Sequence, residues 1–406
     1  MRCFAPPRSS AHDSGYDPTV GRNLVFLAIA LSSCGRTELE ALATRDTQAD
    51  SSVNTGSKTG QCDGTWGFTT QHPYSAGNRP SSVAVGDFNR DGVNDFAIVN
   101  MFDGTVGVYL NKGAGAFSSV SYNCAAPVAL AVGDFNRDGF ADLAVVNTAG
   151  TNSVGVMFNQ KNGTFAPEMQ YATGTYPSAV AVGDFNGDGA PDLAVTSQND
   201  YAVSVHLNKG DGSFLARATY GAGWALSSVA AADFNTDGFI DLAVASGSNS
   251  VEILLNGTDG TFGHYVTYAT GNSPESIAVG DWNGDGRSDL AVADYLGGSV
   301  SVLQNAGDGT FEPRVSYSSG AAPTSVTVGD WNADGYLDVA VTSSGSNNVG
   351  VLFNDGSGRF GAQATYATDA GPLSVATSDF NGDGYPDLAV ANGDDATVSI
   401  LFAQCQ

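Results

Sequence analysis

Short apolar runs recur along most of the chain, separated by polar and glycine-rich segments. One complete unit contains four of them, Ser276–Asp281, Asp289–Ala293, Ser299–Leu303 and Phe311–Tyr317, which we name strands A, B, C and D. Strands A and B are apolar at nearly every position, which predicts burial on both faces. Strand C alternates between serine and apolar residues, so it is predicted to be partly exposed. Glycine-rich segments join C to D as hairpins.

This unit occurs seven times, at intervals of 47 to 50 residues. A period of this length with strand-like segments is typical of a stacked or circular array. Four antiparallel strands per unit, repeated radially, predict an all-β fold and specifically a seven-bladed β-propeller. The predicted propeller domain covers residues 62–406.

The two ends of the array predict that the ring closes through a shared blade. Residues 63–66 align with Asp308–Phe311, so the chain begins at a strand D, and Thr397–Phe402 align with strand C. The last blade would take its fourth strand from the N-terminal side, which removes open sheet edges. Cys62 and Cys405 fall at equivalent positions and predict a disulfide bond; two unrelated thiols are the alternative.

Each unit also contains an acidic loop between strands A and B, with the pattern Asp-aromatic-Asn-x-Asp-Gly-x-x-Asp. The side chains at positions one, three, five and nine offer oxygen atoms, and the backbone carbonyl at position seven adds another. Three carboxylates in an all-oxygen set favour Ca²⁺ over Zn²⁺ or Cu²⁺, with Mg²⁺ left open. We predict up to seven Ca²⁺ ions, one per blade, that stabilise the A–B hairpins.

The predicted ligands, loop by loop, are Asp87, Asn89, Asp91, Val93 and Asp95; Asp134, Asn136, Asp138, Phe140 and Asp142; Asp184, Asn186, Asp188, Ala190 and Asp192; Asp233, Asn235, Asp237, Phe239 and Asp241; Asp281, Asn283, Asp285, Arg287 and Asp289; Asp330, Asn332, Asp334, Tyr336 and Asp338; and Asp379, Asn381, Asp383, Tyr385 and Asp387. The loops explain much of the acidity, because they hold half of the 42 Asp and Glu residues against 16 Lys and Arg. A net charge of −26 argues against nucleic-acid binding, which requires a basic surface.

The N-terminal segment carries a targeting pattern. The apolar run Leu24–Leu31 is too short to span a membrane but suits a signal peptide. The following Ser32-Ser33-Cys34 resembles a bacterial lipobox, in which Cys34 would be lipidated; an ordinary signal peptide is the alternative. We therefore predict a leader over 1–34, a flexible tether over 35–61, and an exported cell-envelope lipoprotein that touches the membrane through its lipid anchor, or else a secreted protein.

The recurring motif Val-Gly-Asp-Phe-Asn-x-Asp-Gly-x-x-Asp-Leu-Ala-Val resembles the FG-GAP/VCBS repeat, known from the integrin α-subunit propeller and from many bacterial surface proteins. The resemblance covers residues 62–405 and implies a seven-bladed Ca²⁺-binding propeller. Members of the family serve in adhesion, and some are lectins or domains of polysaccharide-degrading enzymes. The Gly-Ala-Pro element of integrins is weak here, so a specific integrin function does not transfer.

No catalytic motif accompanies the repeats. The four histidines are scattered, and Glu168, Glu252, Glu275 and Glu312 are isolated and expected to be solvated. We therefore predict a non-catalytic recognition or adhesion module. A glycan-active enzyme, either a lyase or a hydrolase, and a structural subunit of an envelope assembly are the alternatives.

The face formed by the B–C and D–A connections is the predicted recognition surface, because there the sequence departs from the repeat. Aromatic residues without a place in the pattern can stack on a sugar or anchor a protein ligand; packing on an adjacent loop is the alternative. These residues are Phe102, Tyr176, Tyr201, Trp224 and Tyr295.

Overall fold

The computed structural model describes residues 66–69, 71–148 and 150–405, and these residues form strands without any helix. Accordingly, no helix in the described part of the chain could cross a membrane. The predicted leader, Cys34, the tether and Cys62 lie outside the described residues, so the predictions made for them stay predictions.

Thirty strands make up the described fold. They are β1 (Trp66–Phe68), β2 (His72–Ser75), β3 (Pro80–Gly86), β4 (Asp95–Asn100), β5 (Thr105–Asn111), β6 (Phe117–Asn123), β7 (Pro127–Gly133), β8 (Asp142–Asn147), β9 (Ser153–Met157), β10 (Met169–Ala172), β11 (Pro177–Gly183), β12 (Asp192–Ser197), β13 (Ala202–His206), β14 (Ala218–Gly221), β15 (Leu226–Ala232), β16 (Asp241–Ser246), β17 (Ser250–Leu254), β18 (Val266–Ala269), β19 (Pro274–Gly280), β20 (Asp289–Asp294), β21 (Ser299–Leu303), β22 (Val315–Ser318), β23 (Pro323–Gly329), β24 (Asp338–Ser343), β25 (Asn348–Leu352), β26 (Ala364–Ala367), β27 (Pro372–Ser378), β28 (Asp387–Asn392), β29 (Thr397–Leu401) and β30 (Ala403–Cys405).

These strands form seven four-stranded antiparallel sheets, the blades of a β-propeller, which confirms the predicted fold. Blades 1 to 6 are contiguous in sequence and begin at β3, β7, β11, β15, β19 and β23, with the strands in the order A, B, C, D across each sheet. The first strands of neighbouring blades lie side by side around the ring, because each blade packs against the next through apolar side chains on both faces.

Blade 7 draws its strands from both sides of the described chain. Strands β27, β28 and β29 pair in order, and β2 is hydrogen-bonded to β29 as the outermost strand, with Tyr74 opposite Val398. Strand β1 pairs with β30, so that Phe68 lies opposite Ala403 and Trp66 opposite Cys405. Because Cys62 lies outside the described residues, the disulfide bond stays a prediction.

The alignment of Trp66 with Phe311 is wrong by two residues. Phe68, not Trp66, takes the place of Phe311, since its ring lies 5.0 Å from that of Tyr366 and 6.4 Å from that of Trp331. Phe311 makes the equivalent contacts with Tyr268 and Phe234, at 5.4 and 5.6 Å. The N-terminal residues that complete blade 7 are therefore aligned with the other blades two residues later than the sequence comparison predicts.

The predicted partial exposure of strand C is also wrong. Every residue of β17 is buried, and β21 has only Ser299 partly exposed. Strand D is the exposed one, as in β18, where Tyr268 is half-buried and its neighbours are exposed. Strands A to C lie between neighbouring blades, whereas strand D lies at the rim of the propeller.

The aromatic residue at position two of each acidic loop lies in the core between blades. All seven are fully buried, and most make edge-to-face contacts with a phenylalanine of the next blade, such as Phe185 with Phe262 at 5.7 Å. These residues are Phe88, Phe135, Phe185, Phe234, Trp282, Trp331 and Phe380.

Candidate functional site

The acidic loops are closed by hydrogen bonds from their own backbone. In blade 3, the Asp184 carboxylate accepts hydrogen bonds from the backbone N–H groups of Asp188 (3.1 Å) and Gly189 (2.7 Å). Asn186 Oδ1 also accepts from the N–H of Asp188, at 3.0 Å, and Asp188 Oδ1 accepts from Ala190, at 2.8 Å. The oxygens of positions one, three and five therefore converge on one turn, which they hold in shape.

The carboxylate at position nine lies elsewhere, inside the sheet. Asp192 is fully buried; its Oδ2 accepts the N–H of Phe185 (2.9 Å) and its Oδ1 the N–H of Asn208 (2.7 Å). Burial raises the pKa of Asp192 to about 7, against the opposing effect of these two backbone hydrogen bonds. The same two bonds recur in all seven blades, at Asp95, Asp142, Asp192, Asp241, Asp289, Asp338 and Asp387.

An asparagine after strand C extends this network to the preceding blade. Asn208 Nδ2 donates to the carbonyl of Phe135 in blade 2 (2.8 Å) and to that of Pro191 in its own blade (2.9 Å). The equivalents in five other blades are Asn111, Asn159, Asn256, Asn305 and Asn354. Sequence reasoning missed this residue, although its recurrence 15 to 17 residues after the ninth aspartate is visible in the sequence.

The loops offer the donor chemistry of a hard cation, with fewer carboxylates than the pattern predicts. Among the described residues, no three His, Cys, Asp or Glu side chains come together as a metal site. A calcium ion in blade 3 would be held by Asp184, Asp188, the Asn186 amide oxygen and the Ala190 carbonyl, which are all oxygen donors. Asp192 would contribute only through lone pairs that its two backbone hydrogen bonds leave available.

On the opposite face, the structure separates the five aromatic residues predicted to contact a ligand. Phe102, Tyr176, Tyr201 and Trp224 are exposed, whereas Tyr295 is half-buried and its neighbour Leu296 is exposed instead. Phe102 lies beside Arg79 in blade 1, with the guanidinium carbon 5.9 Å from the ring centre. Two of the five, Tyr201 and Trp224, line a common groove.

This groove lies between blades 3 and 4 and has a volume of about 600 Å³. Its walls carry Tyr201, Trp224 and Tyr265, which are 51%, 56% and 41% exposed. Its lining also includes Glu252, which is only 2% exposed and accepts hydrogen bonds from the hydroxyls of Ser250 (2.8 Å) and Thr267 (2.6 Å). The expectation that Glu252 and Glu275 are solvated is therefore wrong, because both are buried.

Glu252 and Tyr265 are departures from the repeat that sequence reasoning missed. The position of Glu252 in strand C is held by glycine or serine in every other blade, at Gly107, Gly155, Ser204, Ser301, Gly350 and Ser399. Trp224 stands where blade 5 has Asn272. Trp224, Glu252 and Tyr265 are thus three departures from the repeat in blade 4, and all three line the same groove. A comparison of equivalent strand positions in the seven blades would have identified Glu252, within strand C, and Tyr265, next to strand D.

Tyr201 has an unfavourable backbone conformation for its type. Its φ angle is 56°, in the left-handed region, where a bulky side chain costs about 1 kcal/mol or more. Five of the six equivalent positions are glycine or asparagine, which tolerate this region: Gly104, Asn152, Asn249, Gly298 and Asn347. Tyrosine at this position therefore points to a role of the side chain other than stability.

Comparisons with known proteins agree with the fold. The FG-GAP-like repeat family matches seven overlapping stretches, residues 50–98, 87–145, 134–195, 184–244, 233–292, 281–341 and 331–390. No curated protein sequence matches the chain.

Solved structures with a similar backbone include a streptogramin B lyase (TM-score 0.58, 16% identity, 83% of this chain and 98% of that one). Virginiamycin B lyase from Staphylococcus aureus has a TM-score of 0.57 and 15% identity, over 82% and 99% of the two chains. BBS1N in complex with ARL6DN has a TM-score of 0.61 and 12% identity, over 83% and 96%. At such identities the likeness shows the fold alone.

Proposed function

This chain belongs to the FG-GAP-like repeat family, and we propose that it is an exported, lipid-anchored, Ca²⁺-binding propeller that acts as a non-catalytic recognition module for a protein or glycan ligand. The observation that carries the proposal is the groove between blades 3 and 4, where departures from the repeat cluster. Exposed aromatic rings around a buried polar group are typical of binding sites. Glu252 is the one carboxylate among the described lining residues, whereas glycoside hydrolysis ordinarily needs a pair.

The groove is tested by a binding screen against glycans and peptides with two variants that carry the residues of other blades. Trp224→Asn introduces the side chain of blade 5, and Tyr201→Asn introduces that of blades 2, 4 and 6. We expect both to weaken binding about tenfold or more, since each removes an aromatic contact of about 1.4 kcal/mol or more.

Tyr201→Asn should also raise the free energy of unfolding by about 0.5–1 kcal/mol, because asparagine tolerates the left-handed backbone better. Urea unfolding measures this gain. A variant that is more stable yet binds less separates recognition from folding. Unchanged binding in both variants would exclude this groove as the recognition site.

We expect removal of calcium to lower the melting temperature of the propeller. With two carboxylates per loop, affinity should fall in the weak range of extracellular modules, with Kd of about 10⁻⁴ to 10⁻³ M. At tenfold excess over Kd, each occupied loop would contribute about 1.4 kcal/mol to the stability of the fold. Calorimetry with EGTA, then with Ca²⁺ or Mg²⁺ restored, measures the effect and its selectivity. An identical melting temperature in all three conditions would rule out calcium as a cofactor.

A further inference from the structure

In blades 3 and 5, the two neighbours of blade 4, an arginine of the chain occupies the place that is left open beside Glu252 in blade 4. Arg217 Nη1 in blade 3 donates to Ser204 Oγ (3.0 Å), and Arg314 Nη1 in blade 5 donates to Ser301 Oγ (3.1 Å). Each arginine immediately precedes a strand D, and each serine is the strand C residue equivalent to Glu252. In blade 4 the equivalent of these arginines is Tyr265, so this position supplies no guanidinium to the groove.

Blade 5 shows what such an arginine does for a buried acid. Asp294 there is buried and accepts hydrogen bonds from Ser299 (3.0 Å) and Ser301 (2.6 Å). Arg314 donates to the same Ser301, so a positive charge lies one hydroxyl away from the carboxylate. A buried carboxylate is stabilised by hydrogen-bond donors, by a cationic partner or by both, because the loss of hydration otherwise disfavours its charge, and Asp294 has both.

Blade 4 has the acid without the cation. Glu252 receives two hydroxyl hydrogen bonds, and the described residues that line the groove include no lysine, arginine or histidine. Around it stand Tyr201, Trp224 and Tyr265, whose rings present faces that attract a cation and surfaces that cover an aliphatic stem. The Trp224 ring also packs against Gly247, where an added Cβ would approach it within 3.1 Å.

We propose that this groove binds an arginine or lysine side chain of a protein partner, with Glu252 as its counter-charge and the three rings packed along its stem. The inference rests on the proposed recognition function and names the chemistry of its ligand. Two observations favour a cationic side chain over a neutral sugar. Glu252 is a buried acid with no cation among the described residues of the groove, and an arginine fills the same space in blades 3 and 5. The net charge of −26 would also attract a basic partner.

The first test places the missing arginine into blade 4. Tyr265→Arg should raise the melting temperature and abolish ligand binding, because the new guanidinium would pair with Glu252 and fill the groove. In a Glu252→Gln background, the same substitution should give no such rise. This double-mutant comparison cancels the cost of losing the tyrosine ring. An equal change in melting temperature in both backgrounds would overturn the assignment of this space to a cation.

The second test titrates the full chain, in calcium, with the acetylated and amidated tripeptides Gly-Arg-Gly, Gly-Lys-Gly and Gly-citrulline-Gly. Citrulline keeps the planar shape of arginine without its charge. We expect saturable binding of a basic peptide, weakened about tenfold or more by citrulline or by Glu252→Gln. Equal binding of the citrulline peptide, or no binding of the basic peptides up to about 10 mM, would overturn the inference.

A glucosamine oligomer serves as the probe for the other source of a cationic group. If it binds while the peptides do not, the ligand is a glycan and the protein-partner inference is wrong.

The proposed recognition function and the proposed cation site can also fail separately. A ligand from the screen that loses affinity in Trp224→Asn but not in Glu252→Gln would preserve the recognition function and overturn the cation site.

Discussion

Asp192→Asn is expected to lower the free energy of unfolding by about 2–4 kcal/mol, even without calcium. Both carboxylate oxygens of Asp192 accept buried backbone N–H groups, those of Phe185 and Asn208. An amide of the same shape has one oxygen, so its NH₂ group would face one of these donors and leave it without an acceptor. Urea unfolding in EGTA measures the loss.

The matched control is Asp188→Asn, the same chemical change four residues earlier in the same loop. Asp188 is exposed and accepts one backbone N–H, from Ala190, which an asparagine oxygen can still accept. Its other partners, the Asn186 Nδ2 group at 2.9 Å and the Arg137 guanidinium at 3.8 Å, lie at the surface, where such contacts contribute little to stability. We expect a change within about 0.5 kcal/mol in EGTA and a loss of the calcium-dependent part of the stability. If the two variants were equally destabilised in EGTA, the division of the loop into a structural ninth carboxylate and exposed metal ligands would be wrong.

The fold could be predicted from the sequence because one signal is repeated seven times. Alternation of apolar residues in a single unit cannot separate a buried strand from an exposed one, which is why the predicted exposure of strand C is wrong. Ser301 is fully buried in β21, because its hydroxyl is hydrogen-bonded to Asp294 and Arg314. A polar side chain with partners of this kind tolerates burial, so the serine–valine alternation did not indicate solvent.

The groove was only half predictable for a related reason. Tyr201 and Trp224 stand in connections, where a large aromatic residue is conspicuous against glycine, serine and asparagine. Glu252 and Tyr265 stand within and beside strands, where each resembles an ordinary surface residue. Only the pairing of β17 with β18 and the approach of blade 3 show that their side chains share one space with the two aromatics.

The acidic loop was predictable as an oxygen-rich turn, but the division of labour within it was not. Spacing alone places five donors on one turn and cannot show that Asp192 is the first residue of β12, within the sheet. The link from Asn208 to the preceding blade depends on the curvature of the ring, which brings the carbonyl of Phe135 within 2.8 Å. A local sequence pattern does not show which residues of a neighbouring blade lie close in space.

Phe68→Ala is expected to lower the free energy of unfolding by about 3–5 kcal/mol, because it removes a buried aromatic ring between two blades. Phe68 is 6% exposed and packs between blades 6 and 7, against Trp331 and Tyr366. At this boundary the linking asparagine is replaced by Ala403, which has no side-chain donor to offer to blade 6. The apolar contact of Phe68 therefore carries a larger share of the cohesion here than its equivalents do elsewhere.

Phe311→Ala is the matched control, because Phe311 has the same place between blades 4 and 5, where Asn305 also donates to the carbonyl of Phe234 (3.0 Å). We expect Phe68→Ala to cost at least as much as Phe311→Ala in urea unfolding. Repeating both under reducing conditions isolates the predicted Cys62–Cys405 bond, whose loss would add to the cost at the blade 6–7 boundary alone. A cost below about 1 kcal/mol for Phe68→Ala would mean that the Phe68 ring contributes little to the contact between blades 6 and 7.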